Sequence, residues 1–210
     1  MPVSLVWATP DGDQLVARLA RVSNPENQDN PDSSRLIRYL VKHKHWSPFE
    51  MVSACLEIET TRDIGRQILR HRSFSFQEFS QRYQDVSKLP QAPLRECRMQ
   101  DTKNRQNSLH TDNATLHEWW EVTQQCAAYK ANQYYQQALL MGIAKEQARC
   151  LLPEGLTPSR MYMAGTLRSW LHFIQVRATP ETQVECRVIA EQAREVLRHS
   201  FPETMRAVEA

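Results

Sequence analysis

The sequence predicts a helix-rich α+β fold in a single domain spanning residues 1–210, with a small, mostly antiparallel sheet. Three observations carry that expectation. Only five glycines occur in 210 residues, and the eleven prolines gather at breaks, so long stretches lack the two residues that interrupt helices. Residues 113–141 hold one long helical pattern. Two segments, near 50–60 and 160–167, read instead as strands.

Along the chain, Asp13 is placed to cap a helix running to about Val22, with Leu15, Leu19 and Val22 on one side. Residues 24–34 form a polar loop. Ser33 or Ser34 then caps a helix in which Leu36, Ile37, Leu40 and Val41 repeat with helical period. Ser47-Pro48 breaks it. Val52, Ala54, Leu56 and Ile58 alternate with Ser53, Cys55, Glu57 and Glu59, the pattern of a half-buried strand. Thr61 is positioned to cap the helix TRDIGRQILRHR, with Ile64, Ile68 and Leu69 inward, so Arg70-His71-Arg72 falls at its C-terminal end.

Residues 84–111 are polar and broken by proline, a long excursion. The long helix carries Leu116, Trp119, Trp120, Val122, Tyr129, Tyr134 and Leu139, and Gly142 marks its end. Trp119 and Trp120 read as core or subunit-interface residues. A short helix over 144–152 stops at Pro153. SRMYMAGTL reads as a strand and RSWLHFIQVR as a helix. Pro180 and Glu181 open a last amphipathic helix to about Ser200.

Charge excludes some functions. With 26 basic and 24 acidic residues, the net charge is +2, which gives no electrostatic case for binding a nucleic acid polymer. The first residues show neither a basic region followed by a long apolar run nor anything near the roughly 20 apolar residues of a membrane span. A cytoplasmic protein is expected. Five scattered cysteines without a CxxC pair argue against a disulfide framework or a cysteine zinc site. His43 and His45, two positions apart with no ligand beside them, make no metal site.

The chemistry concentrates in RHRSFSFQEFSQRY, residues 70–83. An isolated Arg-His-Arg at a helix end would only complement the helix dipole. Here residues 62–82 hold Arg62, Arg66, Arg70, Arg72 and Arg82 against Asp63 and Glu78, with Ser73, Ser75, Gln77 and Ser80 as neutral hydrogen-bonding groups. Guanidinium forks suit phosphate oxygens, hydroxyls complete the shell, and one carboxylate accepts from a sugar or base. That is a nucleotide-phosphate site without a glycine-rich loop. Read alone, Arg149 and Arg177 would be surface arginines or partners of Glu146 and Glu181. His172 would be a structural histidine, and Ser80 has no base placed to make it a nucleophile.

The run Arg70-His71-Arg72, seven residues, Ser80, Gln81, Arg82 resembles the signature of flavin-dependent thymidylate synthases. Further similar pieces follow in order: ARVS at 20–23, KHKHWSPFE at 42–50, Gln67, the segment 148–155, LRSWLHFIQVR at 167–177 and QVECR at 183–187. The likeness covers about residues 15–200. It implies a homotetramer that binds FAD between subunits and methylates dUMP at C5, with methylenetetrahydrofolate as carbon donor and NADPH as reductant.

Carried over by position, Ser47, Arg70, His71, Arg72, Glu78, Thr166, Arg168 and His172 would touch FAD. Gln67, Arg70, Glu78, Ser80, Gln81, Arg82, Arg149 and Arg177 would hold the nucleotide, and His45 would flank flavin and folate. Thr166-Leu167-Arg168 stands where some members have Asn-x-Arg, and His172 where some have Asn. Since no cysteine follows a proline, a thiolate route to C5 lacks its group, and Arg177 is the candidate to polarise the ring. A relative acting on dCMP, or leaving a hydroxymethyl group, is the nearer alternative. A single-strand-binding module is the more distant one.

Overall fold

The structure, a computed structural model, describes residues 3–210. In chain order the elements are β1 (Val3–Ala8), α1 (Gly12–Ala20), α2 (Ser34–Lys42), β2 (Ser53–Thr61), α3 (Arg62–Ile68), β3 (Ser75–Glu78), β4 (Arg98–Gln100), β5 (Ser108–His110), α4 (Ala114–Leu140), α5 (Lys145–Ala148), β6 (Pro158–Thr166), α6 (Leu167–Arg177), α7 (Val184–Ser200) and α8 (Pro202–Glu209). The main sheet runs β1-β2-β6-β3 with every neighbouring pair antiparallel. This is the helix-rich α+β fold with a small antiparallel sheet.

The central pair β2 and β6 aligns Ser53 with Thr166 at one end and Thr61 with Pro158 at the other. Alternation places Ala54, Leu56 and Ile58, with Met161 and Met163, on a fully buried face. Helices α6 and α7 cover that face through Trp170, Phe173, Ile189 and Ala193. A smaller cluster, Val86, Tyr135, Ala138 and Ala148, holds the excursion and α5 against α4. Each central strand runs directly into a helix: β2 into α3, β6 into α6. The two helices that frame the site are thereby fixed by the sheet register.

Several boundaries differ from the sequence reading, each for a local reason. Asp13 lies inside α1, buried, and caps α8 instead, accepting from Glu203 N at 2.7 Å, Thr204 N at 3.2 Å and Thr204 Oγ1 at 2.6 Å. Asp32, not a serine, accepts from Ser34 N at the start of α2. Thr61 sits at the N-cap of α3, but its hydroxyl donates to the Asp63 carboxylate. Helix α7 begins at Val184, after the Pro180 turn.

Strands β1 and β3 and the β4–β5 hairpin were not foreseen. The excursion is tied to α4 by Trp120 Nε1 and Gln124 Nε2, which both donate to the Arg95 carbonyl, while Gln124 Oε1 accepts from Arg95 N. The end of α4 is as expected, with Gly142 at φ 83°. Its outer flank leaves Trp119, Tyr129, Tyr134 and Leu140 58–88% exposed, so Trp119 is no core residue. No helix among the described residues is long and apolar enough to cross a membrane.

Candidate active site

Helix α3 ends at Ile68, one turn earlier than its pattern suggests, because Arg70 N and His71 N bond back to Gln67 O and Ile68 O in a tight turn. Arg70-His71-Arg72 therefore lies in the connection between α3 and β3, not on a helix. The alternation that follows is explained by anchoring. Phe74 is buried, 4.8 Å from the Trp170 ring in an edge contact, and Phe76 packs half-buried beside it. Ser73 and Ser75 stay exposed. Two aromatic pegs thus hold a polar, arginine-bearing turn against α6.

The centre of this arrangement joins residues 106 apart in sequence. Arg177 Nε, at the end of α6, donates to His71 Nε2 at 2.9 Å, and its Nη2 donates to the Gln67 carbonyl at 3.3 Å. The His71 ring sits edge-on to Phe173 at 5.0 Å. Burial, and then the positive charge of Arg177, lowers the His71 pKa to about 4. His71 is then neutral at pH 7, and Nε2 is free to accept. Arg177 makes no ion pair with Glu181, the partner it would have if read alone.

An NMR titration checks this state. The folded-state value lies below the unfolded 6.5, so the associated stability is complete above 6.5 and is lost as pH falls through about 4. The His71 ring should titrate with a midpoint near 4, and Arg177→Ala should move it towards 6.5. A wild-type midpoint at 6.5 would contradict the assignment.

Beside this pair a groove of about 370 Å³ is lined by Trp46, Ser73, Arg168, Ser169, His172 and Gln175, among others. Ser169 Oγ donates to Ser73 O at 3.3 Å, and Arg168 pairs with Glu50. Thr166 caps α6, its hydroxyl accepting from Ser169 N at 3.3 Å. His45 and Ser47 are exposed on the turn that carries Trp46, and the His45 ring stands edge-on to Tyr39. Arg70 and Arg72 are exposed, and among the described residues neither is in an ion pair.

The remaining sequence candidates fall into other patches. Glu78 is half-buried, pairing with Arg62 at 3.1 Å and accepting from Ser159 Oγ at 2.8 Å. Ser80 is exposed and Gln81 buried, with the Gln81 Nε2 unpartnered. Arg82 lies 3.6 Å from the Glu146 carboxylate, and Arg149 Nε donates to the Glu146 carbonyl at 3.3 Å. Among the described residues no hydrogen bond or ion pair joins this second patch to Arg177.

The Gln67 side chain bonds to the segment that opens α7, Nε2 donating to Gln183 Oε1 at 2.6 Å, and Gln183 Nε2 donates to Glu185 Oε2 at 2.8 Å. Sequence reasoning gave no role to Gln183, Glu185, Ser159, Trp46 or Glu50. Their segments stood out, but nothing in one chain shows what lies across from them.

Comparison with known proteins follows the same outline. The profile of the family described as thymidylate synthase complementing protein matches residues 4–203. A flavin-dependent thymidylate synthase from Synechocystis sp. is 47% identical over 201 residues, covering 96% of this chain and 90% of its own. A probable flavin-dependent thymidylate synthase from Paramecium bursaria Chlorella virus 1 is 46% identical over 198 residues, covering 94% and 90%. Among solved structures, a UMP/dUMP methylase from Streptomyces cacaoi bound with 5-bromo-dUMP is similar with a TM-score of 0.85 at 29% identity, over 99% of this chain and 93% of that one. The same methylase bound with 5-bromo-UMP gives 0.80 over 98% and 92%. The chain whose arginine-bearing turn meets Arg177 at the end of α6 belongs to the flavin-dependent thymidylate synthase family.

Proposed function

We propose that this single catalytic domain uses FAD to methylate dUMP at C5, giving dTMP, with methylenetetrahydrofolate as carbon donor and NADPH as reductant, in the cytoplasm. The observation that carries the reading is Arg177, a guanidinium held by a neutral histidine beside an arginine-rich turn. The donor set suits a flavin dinucleotide: Arg70 and Arg72 offer unpaired forks for a diphosphate, and Trp46 and Leu171 give the adjoining groove an apolar wall. Ser47, Arg70, His71, Arg72, Glu78, Thr166, Arg168 and His172 would hold it, with His45 towards the folate. When bound, the flavin supplies the hydride that no side chain carries.

The nucleotide would lie on Gln67, Arg70, Glu78, Ser80, Gln81, Arg82, Arg149 and Arg177. Two of these arginines, Arg82 and Arg149, sit apart from Arg177 within one protomer. A homotetramer in which one copy's Arg82–Arg149 patch faces another's Arg177 would complete the site. The exposed apolar flank of α4 supports such an assembly.

The task for the chain is to make C5 nucleophilic. Burial raises the pKa of Cys55 and Cys186, so neither is a ready thiolate. Arg177 spends Nε on His71 and one Nη2 proton on the Gln67 carbonyl. Its remaining N–H groups are left for the pyrimidine edge at N3 and O2, where negative charge develops as density moves to C5. Neutral His71 keeps its acceptor at Nε2 and fixes that aim.

A ribonucleotide reading is favoured by one observation, since the Streptomyces methylase was solved with both 5-bromo-dUMP and 5-bromo-UMP. Anaerobic incubation with FAD, NADPH and methylenetetrahydrofolate, offering dUMP, UMP and dCMP in parallel with products identified by mass, tests the proposal. The purified protein should be yellow, NADPH should bleach it, and dUMP should become dTMP. Turnover of dCMP alone, or a hydroxymethyl product, would overturn it.

A further inference from the structure

We infer that Glu185 and Gln183 are positioning residues that fix which end of the Gln67 amide meets the nucleotide. The inference rests on the proposed placing of Gln67 against the substrate. An amide side chain has a donor end and an acceptor end, and a glutamine flips readily between them. A carboxylate has acceptors only. Glu185, at the start of α7, therefore forces Gln183 to turn its NH2 group towards it, at 2.8 Å. That leaves Gln183 Oε1 pointing to α3, where it accepts from Gln67 Nε2 at 2.6 Å.

The chain of dipoles ends with Gln67 Oε1 as its free group. An ionic terminus two residues removed from the substrate thus dictates that Gln67 presents an acceptor, with one amide proton to spare. All three side chains are half-buried, so water competes weakly for the bonds. The chemistry recognised is a hydrogen-bond donor on the nucleotide, and with ring N3 facing the Arg177 guanidinium as an acceptor, the donor that dUMP offers is the sugar 3′-hydroxyl. Arg177, whose Nη2 bonds the backbone carbonyl of Gln67 at 3.3 Å, is donor-only. An acceptor at Gln67 Oε1 complements it.

The test measures nucleotide affinity on the FAD-loaded protein by equilibrium binding, beside flavin content and thermal melting. Glu185→Gln keeps the shape and removes the polarity, and should weaken dUMP by about tenfold, the loss of one well-placed hydrogen bond. Flavin content should not change. Gln183→Glu combined with Glu185→Gln returns an acceptor-only group to the relay, now adjacent to Gln67, and should restore affinity to within about threefold. Dideoxy-UMP, which lacks the 3′-hydroxyl, should bind wild type and Glu185→Gln equally.

Unchanged dUMP affinity in Glu185→Gln overturns the relay. So does a double variant no tighter than Glu185→Gln, or a tenfold loss that persists with dideoxy-UMP. Gln67→Ala separates the two levels of the argument. If it leaves dUMP affinity intact while Glu185→Gln weakens it, the placing of Gln67 on the substrate is what fails, and the relay's consequence with it.

Discussion

Arg177→Ala will lower kcat by about 10²–10³-fold, the cost typical of removing one preorganised donor from a developing charge, while the protein keeps its fold and its flavin. The expectation follows from the geometry at the end of α6. Arg177 is tethered at Nε by His71 and at Nη2 by the Gln67 carbonyl, so little reorganisation is needed when negative charge grows on the pyrimidine. The loss should fall on kcat more than on KM, because the interaction strengthens as charge develops. Arg177→Lys should recover little. A lysine ammonium is a point charge and cannot hold the His71 bond while reaching the ring. Steady-state kinetics at saturating nucleotide and folate read this directly, and an unchanged kcat would remove Arg177 from the mechanism.

Gly165→Ala will cost stability and the site together. A Cβ at Gly165, in β6, would stand 2.4 Å from Phe74 Cδ1 and 2.7 Å from Cε1. The Phe74 ring cannot swing away easily, since Trp170 meets it at 4.8 Å and Phe173 at 6.2 Å. Overpacking of this kind costs about 1–3 kcal/mol, which in a chain of this size lowers Tm by roughly 2–12 °C. Phe74 is also the peg beneath Arg70-His71-Arg72, so nucleotide affinity should fall in the same variant. Gly12→Ala is the control. Its Cβ would stand 2.2 Å from Phe201 Cε1, among core residues joining α1 to α7 and α8, so it should lower Tm without weakening nucleotide binding. Equal effects of both variants on binding would mean that Phe74 does not hold the turn.

The parts of the fold legible in sequence were those whose apolar period matched their burial. Strand β2, strand β6 and α6 satisfied that condition, whereas α4 was legible from its length without glycine or proline, since Trp119, Val122, Tyr129 and Tyr134 of its pattern lie exposed. Strand β1 did not satisfy it, because Leu5, Val6 and Trp7 are 45–49% exposed and alternation carries no signal where apolar residues face outward. Strand β3 has four residues and exists by pairing with β6, a long-range contact that overrides its weak local preference. The β4–β5 hairpin depends on side chains such as Arg98, which reaches across to Ser108.

At the site, the arginine-rich chemistry of residues 62–82 was visible because residue types and their spacing suffice to suggest phosphate. The Arg177–His71 bond spans 106 positions and could not be read from either residue. The end of α3 was misplaced for a related reason. Leu69 and Arg70 have good helix propensity, yet the aromatic pegs behind them pull the chain into a turn.

The account depends on activation of the pyrimidine by a guanidinium and not by sulfur. The most direct test is the intact mass of the polypeptide after denaturing a mixture of FAD-loaded protein, methylenetetrahydrofolate and 5-fluoro-dUMP, whose C5 substituent cannot leave as a proton. The mass of the unmodified chain is the predicted result. A polypeptide heavier by the nucleotide, with or without the methylene-linked folate, and with the increment mapped to Cys150 or any other cysteine, would contradict it.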